Sequence, residues 1–241
     1  MFGKRSLRLA AVSAAVALPL GLVAASPASA AKAPKPTTAV VSVLHGIPGV
    51  VVDVYANDTL LINDFTPGSL KKIRVPGGTY DLEIFPADAP NSAGTAILQL
   101  TQAVENGKNY TVAAYLSATG SPSIQGFQNN IGSLPKPKNS KNAQGRITVR
   151  HLAAAPTVDI AVSGVVSTDL SPISNGESKQ TTAKKGTYSV AALAGGVVAL
   201  GPVPLKVRQG WNVIAYAWGA PGGYQVALQY VKLKAPKTPK K

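Results

Sequence analysis

Apolar and polar residues alternate with a period of two in short runs along most of the chain. Val41/Val43 and Val52/Val54 are the first examples, and this period is typical of strands that bury one face. Further short apolar runs follow at intervals of about 8 to 12 residues and are separated by Gly, Pro, Asn and Asp, the residues that favour turns. No helical period is sustained beyond about two turns. The pattern therefore predicts an all-β chain made of β-sandwiches.

The same pattern occurs twice. Residues 41–55 and 147–161 each run from an alternating strand into a histidine, through a corner that contains proline, and into a second strand. Gly78-Thr79-Tyr80 returns later as Gly186-Thr187-Tyr188. A repeat of this length indicates one folding unit used twice. We therefore predict two tandem immunoglobulin-like antiparallel β-sandwich domains, residues 39–134 and 146–231.

The N-terminal segment, residues 1–30, has the three parts of a secretory signal peptide. Basic residues come first, an apolar stretch over residues 9–23 follows, and Ala28-Ser29-Ala30 is a small-residue cleavage motif. The apolar stretch is broken by Pro19 and is shorter than the roughly 20 residues that span a bilayer. We expect cleavage between Ala30 and Ala31, a secreted or envelope-associated protein, and no transmembrane segment in the mature chain.

Lysine and proline dominate the segments outside the two predicted domains. These segments are a leader (residues 31–38), a linker (135–145) and a C-terminal tail (232–241). The formal net charge is +14, yet most of the excess lies in these segments and in the signal peptide, so the predicted domains are nearly neutral together. Basic tails attract anionic polymers, or they simply keep the ends extended and soluble. The distribution favours anionic cell-wall polymers or another envelope protein as partner, and not nucleic acid.

One ionisable pairing is repeated in the two predicted domains. His45 and Asp53 in the first copy correspond to His151 and Asp159 in the second. One interpretation is a catalytic dyad that awaits a nucleophile. The other is a structural motif, because each histidine caps a core-facing stripe and a buried imidazole needs a partner from the next strand or corner. Two equivalent catalytic dyads in one small chain would be unusual, whereas a folding device occurs once per domain, so we predict the structural role.

Aromatic residues cluster in the last two predicted strands. Trp211, Tyr216 and Trp218 could form a ligand-stacking platform or fill a core that is otherwise poor in large residues, and we favour the core. Cysteine is absent and there are two histidines, too few soft ligands for a zinc site. A Gly-x-Ser-x-Gly nucleophile elbow is also absent. We therefore predict no metal, no cofactor and no catalytic residue.

The repeated motifs resemble a known bacterial family. The residues that carry the resemblance are His45, Pro48, Val52-Asp53-Val54, Pro76-Gly77-Gly78-Thr79-Tyr80 and Gly107-Lys108-Asn109-Tyr110-Thr111-Val112 in the first copy, with His151, Pro156, Val158-Asp159-Ile160, Gly186-Thr187-Tyr188 and Gly210-Trp211-Asn212 in the second. In this pattern the chain resembles the extracellular family called domain of unknown function 4397, in two tandem copies.

The resemblance implies exported β-sandwich domains, often of actinobacteria, and brings no reaction or ligand with it. We expect a non-enzymatic protein that binds or scaffolds at the cell envelope. The alternatives are a carbohydrate-binding module that uses the aromatic residues of the second domain and, less favoured, a small secreted hydrolase that uses the His–Asp pairs.

Overall fold

The structure is a computed structural model that describes residues 35–87 and 94–236. The predicted signal peptide with its cleavage site, most of the leader and the end of the tail lie outside the described residues. No helix in the described ranges is long and apolar enough to cross a membrane.

Strands account for nearly all regular structure in the described ranges. The first eight are β1 (Thr38–His45), β2 (Val52–Ala56), β3 (Thr59–Phe65), β4 (Leu70–Pro76), β5 (Gly78–Pro86), β6 (Leu98–Val104), β7 (Asn109–Leu116) and β8 (Pro122–Gln128). The next eight are β9 (Gln144–Ala153), β10 (Asp159–Val162), β11 (Val165–Val166), β12 (Ser178–Lys184), β13 (Gly186–Ala194), β14 (Val197–Val207), β15 (Trp211–Gly219) and β16 (Gln225–Lys232).

Short turns join the strands where the sequence places Asn, Asp and Gly. The β2–β3 hairpin turns through Asn57 and Asp58, whose φ angles are 47° and 60°. Its counterpart between β10 and β11 turns through Ser163 and Gly164, with φ angles of 51° and 82°. Positive φ at both central residues is the geometry of a tight hairpin turn, because its twist matches that of the flanking strands.

The strands form four sheets, two for each half of the chain. In the first half the strand orders are β4-β1-β7-β8 and β3-β2-β5-β6, and in the second half they are β12-β9-β15-β16 and β11-β10-β13-β14. The two halves therefore share one topology, which confirms the predicted tandem β-sandwiches. The pairing is not wholly antiparallel as predicted, because β1 runs parallel to β7 and β9 runs parallel to β15.

An apolar core fills the space between the two sheets of each sandwich. Val41, Val43 and Val112 face inward in the first sandwich and are nearly inaccessible. Ile147 and Val213 hold corresponding places in the second. These are the residues that the period-two pattern assigns to a buried face, so each core follows directly from the alternation.

The connection between the sandwiches is partly packed against them. Asn129 is 1% exposed, and Ile131 packs against a buried apolar cluster. The Arg146 guanidinium donates to the carbonyl oxygens of Asn130 and Gly132 at 3.1 and 3.3 Å. A short 3-10 helix, Ser140–Asn142, follows, and β9 begins at Gln144, inside the segment predicted as linker.

The two sandwiches also pack against each other. Leu44 and Ala113 from the first sandwich join Leu152, Ile214 and Tyr216 from the second in one buried cluster. These side chains lie on the outer faces of the β1–β7 and β9–β15 pairs, so the central strands are covered on both faces. The described residues of both sandwiches thus belong to one compact unit.

Candidate functional site

In each copy of the repeat the corner after the first strand is closed by its histidine. His45 is 1% exposed, its Nε2 lies 2.9 Å from the Val50 carbonyl oxygen, and its Nδ1 accepts a bond from the Ile47 amide at 3.4 Å. His151 is 2% exposed, and its Nε2 lies 2.8 Å from the Pro156 carbonyl oxygen. Because a carbonyl oxygen only accepts, Nε2 carries the proton in both rings.

Burial lowers the pKa of both histidines, an effect that the hydrogen bonds to Val50 and Pro156 partly oppose. Both rings are therefore neutral near pH 7. The backbone occupies both nitrogens of His45, which leaves neither one free to take a proton from a nucleophile. In His151 the buried Nδ1 has no hydrogen-bond partner among the described residues. The contacts of His45 and the burial of both rings favour the structural interpretation.

The aspartates of the two copies occupy different environments. Asp53 is 3% exposed, and its Oδ1 accepts a hydrogen bond of 2.8 Å from the Asp64 amide in β3. Asp159 is half-buried at the start of β10. In the second sandwich the Ser171 hydroxyl accepts from the Ile160 amide at 2.7 Å, so a serine bonds to the backbone of β10. We find the repeated carboxylates at the strand pairing, not in a cleft.

A polar network lies between the two sandwiches and is almost inaccessible. Thr111 is its centre, since its hydroxyl lies 3.0 Å from the Tyr216 hydroxyl, 3.0 Å from the Gln229 Oε1 and 3.0 Å from the Asn129 Nδ2. The Gln229 amide also donates to the Ser42 hydroxyl at 2.8 Å, which joins β16 to β1. Buried polar groups that are satisfied in this way fix one relative arrangement of the elements that carry them.

Arg150 brings a charge into this buried layer. Its Nη1 donates to the Tyr216 hydroxyl at 3.0 Å, its Nη2 to Asn129 Oδ1 at 2.7 Å and its Nε to the Ser178 hydroxyl at 3.3 Å. The guanidinium also lies 4.3 Å from the centre of the Phe127 ring, in cation–π geometry. Every hydrogen-bond acceptor that it contacts is neutral.

Burial affects the protonation of both Arg150 and Tyr216. Desolvation lowers the pKa of Arg150, which the nearby Tyr216 partly offsets, and desolvation raises the pKa of Tyr216. An arginine keeps its proton even so, and the phenol stays neutral. The layer therefore holds the positive charge of Arg150 next to a neutral phenol.

A groove of about 570 Å³ opens at the edge of this layer, where the outer face of β1 and β4 meets the edge strand β16. Ser42 and Gln229 of the buried network belong to its lining. Four cationic side chains and no acidic one line it: Lys72, Arg74, Lys108 and Lys232. Because a groove with one sign of charge concentrates ions of the other sign, it favours an anionic ligand.

The three aromatic residues that the sequence offered for stacking lie in different places. Trp211 is half-buried and lines the groove. Tyr216 is 0% exposed within the polar network, and Trp218 is 4% exposed. The Trp218 ring lies against Gly68 of the first sandwich, where a Cβ would come within 2.9 Å of it. Tyr216 and Trp218 therefore offer no open ring face, and stacking falls to Trp211 alone.

The polar layer and the groove were not predicted from the sequence. A signal was present, since Thr111, Thr148 and Arg150 occupy one face of strands whose other face is apolar. A strand that buries one face normally turns its polar face to solvent. Within residues 35–87 and 94–236, no group of three His, Cys, Asp or Glu side chains is placed to hold a metal ion.

The fold defines the class of protein, a tandem β-sandwich protein with a groove between its two halves. A family model described as "Domain of unknown function (DUF4397)" matches residues 39–161, about half of the chain, and the chain belongs to this family. The match covers the first sandwich and ends in β10, so the correspondence of the second sandwich rests on its topology and motifs.

The search of curated proteins found no match. Among solved structures, the Bacillus anthracis TIE protein matches with 12% sequence identity and a TM-score of 0.24, over 75% of this chain and 33% of that chain. The chain thus spans about a third of that protein's length, and a likeness this weak carries no argument about function.

Proposed function

We propose that this is an exported, non-enzymatic protein of the cell envelope that binds an anionic wall polymer. The observation that carries the proposal is the groove between the sandwiches, lined by four cationic side chains with no acidic one among them. The Pro/Lys leader and tail flank the two sandwiches in the sequence and add further positive charge. The signal-peptide pattern of residues 1–30 supports export.

The spacing of charges in the groove suits a chain-like ligand. Lys72 and Arg74 lie two residues apart on the edge strand β4, so they share one face of it, and both are exposed. Side chains two residues apart on a strand are about 6.5 Å apart, so the two charges form a short row. A polymer with regularly spaced phosphates or carboxylates contacts such a row at several points, which raises its affinity over that of a single ion.

The proposal is tested by co-sedimentation of residues 31–241 with purified cell walls. A Lys72→Glu/Arg74→Glu variant reverses two groove charges. We expect about tenfold weaker binding at low salt, which corresponds to roughly 1.4 kcal/mol. A matched control, Lys184→Glu/Lys206→Glu, makes the same change of net charge at two exposed positions of the second sandwich and should bind nearly as the wild type does.

The tail is separated from the groove by truncation. Leu233 is buried, so residues 235–241 can be removed without opening the core. If truncation abolishes binding and the groove variant has no effect, the tail and not the groove is the binding element. Equal losses in the groove and control variants would show that only net charge matters. Roughly 1 M salt, where the screening length is about 3 Å, should remove the difference.

A second candidate is sugar binding through Trp211, because this side chain lines the groove and an indole ring stacks on sugar rings. A Trp211→Ala variant would then lose binding to neutral wall glycans on a glycan array, with no change in the salt dependence of polymer binding. Unchanged glycan binding would leave the charge of the groove as its only means of recognition.

A further inference from the structure

An apolar slot of about 200 Å³ lies between the two sheets of the first sandwich, beside the edge strands β3 and β4. Aliphatic side chains from β1, β3, β4 and β5 supply most of its lining: Val41, Val43, Leu61, Ile73, Val75 and Leu82. Three polar side chains also line the slot, those of Thr59, Tyr80 and Gln102, and each is bonded elsewhere. The Tyr80 hydroxyl donates to the Pro76 carbonyl at 3.0 Å, and the Gln102 amide donates to the Ala103 carbonyl at 2.6 Å.

The second sandwich carries a polar pair at the equivalent place. Ile73 pairs with Val41 in the first sandwich, and Thr181 pairs with Ile147 at the same register in the second. In the first sandwich Val52 pairs with Phe65, and Leu61 lies four residues before Phe65. In the second sandwich the equivalent Val158 bridges to Ile173, and Asp169 lies four residues before Ile173. Counted from this bridge, Asp169 and Thr181 stand at the places of Leu61 and Ile73, although the second copy has two more residues between the hairpin and the bridge. The Thr181 hydroxyl donates to Asp169 Oδ2 at 2.5 Å, so a hydrogen bond joins these two positions.

The size and walls of the slot indicate its occupant. An apolar cavity of about 150 Å³ in a protein stays dry and takes up small apolar molecules, and this slot is larger. It is bounded by two sheets, which pack about 10 Å apart, so it is flat and follows the strands. Leu61, Ile73 and Val75 are only half-buried, which leaves a mouth between β3 and β4. A flat apolar space with a side opening fits one extended chain.

We propose that the first sandwich binds a single unbranched hydrocarbon chain in this slot, with the head group of the amphiphile left outside the mouth. The chain is the chemistry that the slot recognises, whether it comes from a free fatty acid or from a glycolipid. The site is separate from the groove, because β4 presents Lys72 and Arg74 to the groove and Ile73 and Val75 to the slot. Failure of one proposal therefore leaves the other intact.

The test uses alkyl glucosides, whose uncharged head is not attracted by the cationic groove. Residues 31–241 are titrated calorimetrically with methyl, hexyl, heptyl and octyl glucoside below micelle formation. We expect one site, no binding of methyl glucoside, and about fourfold tighter binding for each added methylene, the ratio that about 0.8 kcal/mol per buried CH₂ gives. Equal heats for the methyl and octyl compounds would overturn the proposal. A fatty acid and a glycolipid of equal chain length then distinguish the two sources.

The second sandwich supplies the matched variants. Leu61→Asp/Ile73→Thr copies its polar pair into the slot and should weaken octyl glucoside binding at least about tenfold, with the folded state checked by circular dichroism. Asp169→Leu/Thr181→Ile makes the reverse change in the second sandwich and should keep the first site intact. Wild-type affinity in the Leu61→Asp/Ile73→Thr variant would place the ligand elsewhere. If that variant does not fold, Val75→Phe fills the slot without adding a charge and gives the same readout.

Discussion

The inner and outer faces of the central strands are both buried, yet they are built from different residues. On the inner face of β9, Ile147 and Val149 pack against the apolar core of the second sandwich. On its outer face, Thr148 and Arg150 lie in the layer between the sandwiches. An apolar face can pack against many surfaces, whereas a buried polar face requires partners at fixed positions. The inner faces therefore stabilise each sandwich, and the outer faces determine how the two sandwiches meet.

Trp218 shows how closely the second sandwich packs against the first in the layer between them. Its ring lies where a side chain on Gly68 would otherwise extend, and its Cβ would lie 3.3 Å from a Cβ on Gly46. Both glycines flank the corner that His45 closes, because the Gly68 amide donates to the His45 carbonyl at 2.7 Å. The repeated histidine thus holds a corner against which the other sandwich packs.

The largest effects should come from substitutions of buried residues in the polar layer and in the apolar core. Asn129→Ala leaves the buried Arg150 guanidinium without its 2.7 Å bond, and we expect unfolding to become easier by about 1–3 kcal/mol or more, because the unpaired group carries charge. Chemical denaturation followed by tryptophan fluorescence measures this loss. Ile147→Ala, on the inner face, is the reference, with an expected loss of about 2–5 kcal/mol.

The two variants should also differ in how they unfold. Both tryptophans lie in the second sandwich, and Trp218 contacts the first. In Asn129→Ala the weakened layer should open in a step of its own, so Trp218 fluorescence should change separately from the main unfolding transition. Ile147→Ala should keep a single transition. A single transition in both variants would contradict the separate roles of the two faces.

A smaller effect is expected at the Trp218 contact. Gly68 and Gly49 have nearly equal φ angles, 79° and 80°, but a Cβ at Gly49 would have no neighbour within 4 Å. Each alanine substitution should lower the free energy of unfolding by about 1 kcal/mol or more, because a side chain is strained in left-handed backbone. Gly68→Ala should cost roughly 1–3 kcal/mol beyond this because of overpacking against the ring. Thermal denaturation of the two variants gives the difference, and equal melting temperatures would show that the ring yields freely.

The smallest effect should appear only in acid and tests the histidine corners. Because burial lowers the pKa of His45 and His151 in the folded state, the unfolded chain binds more protons once the pH falls below the ordinary histidine value of about 6.5. Stability is thus complete above that pH and is lost as the pH falls toward the lowered folded values.

The measurement is the melting temperature between about pH 7.5 and pH 5, above the range in which carboxylates titrate. A His45→Gln/His151→Gln variant keeps an amide donor for the Val50 and Pro156 carbonyls but does not titrate, so its melting temperature should change less with pH. If the two curves run parallel, protonation of these histidines does not couple to unfolding.

Much of the fold could be predicted from the sequence. The period-two alternation placed most of the strands, because successive side chains on a strand point to opposite faces, and the repeat implied the shared topology. The motif also led to His45 and His151, whose partners proved to be the Val50 and Pro156 carbonyls. The parallel pairing of β1 with β7 could not be predicted in this way, since alternation does not reveal which strand lies beside which or in which direction.

The sequence by itself determined which residues share a face, that two similar units exist, and where the excess positive charge lies. Only the tertiary structure decided what covers each face. Thr111, Arg150 and Gln229 look like solvent-exposed positions in the pattern, but these residues, far apart along the chain, meet in one network between the two sandwiches. The groove and the apolar slot likewise depend on which strands become edges, because strand pairing, and not local composition, leaves those openings.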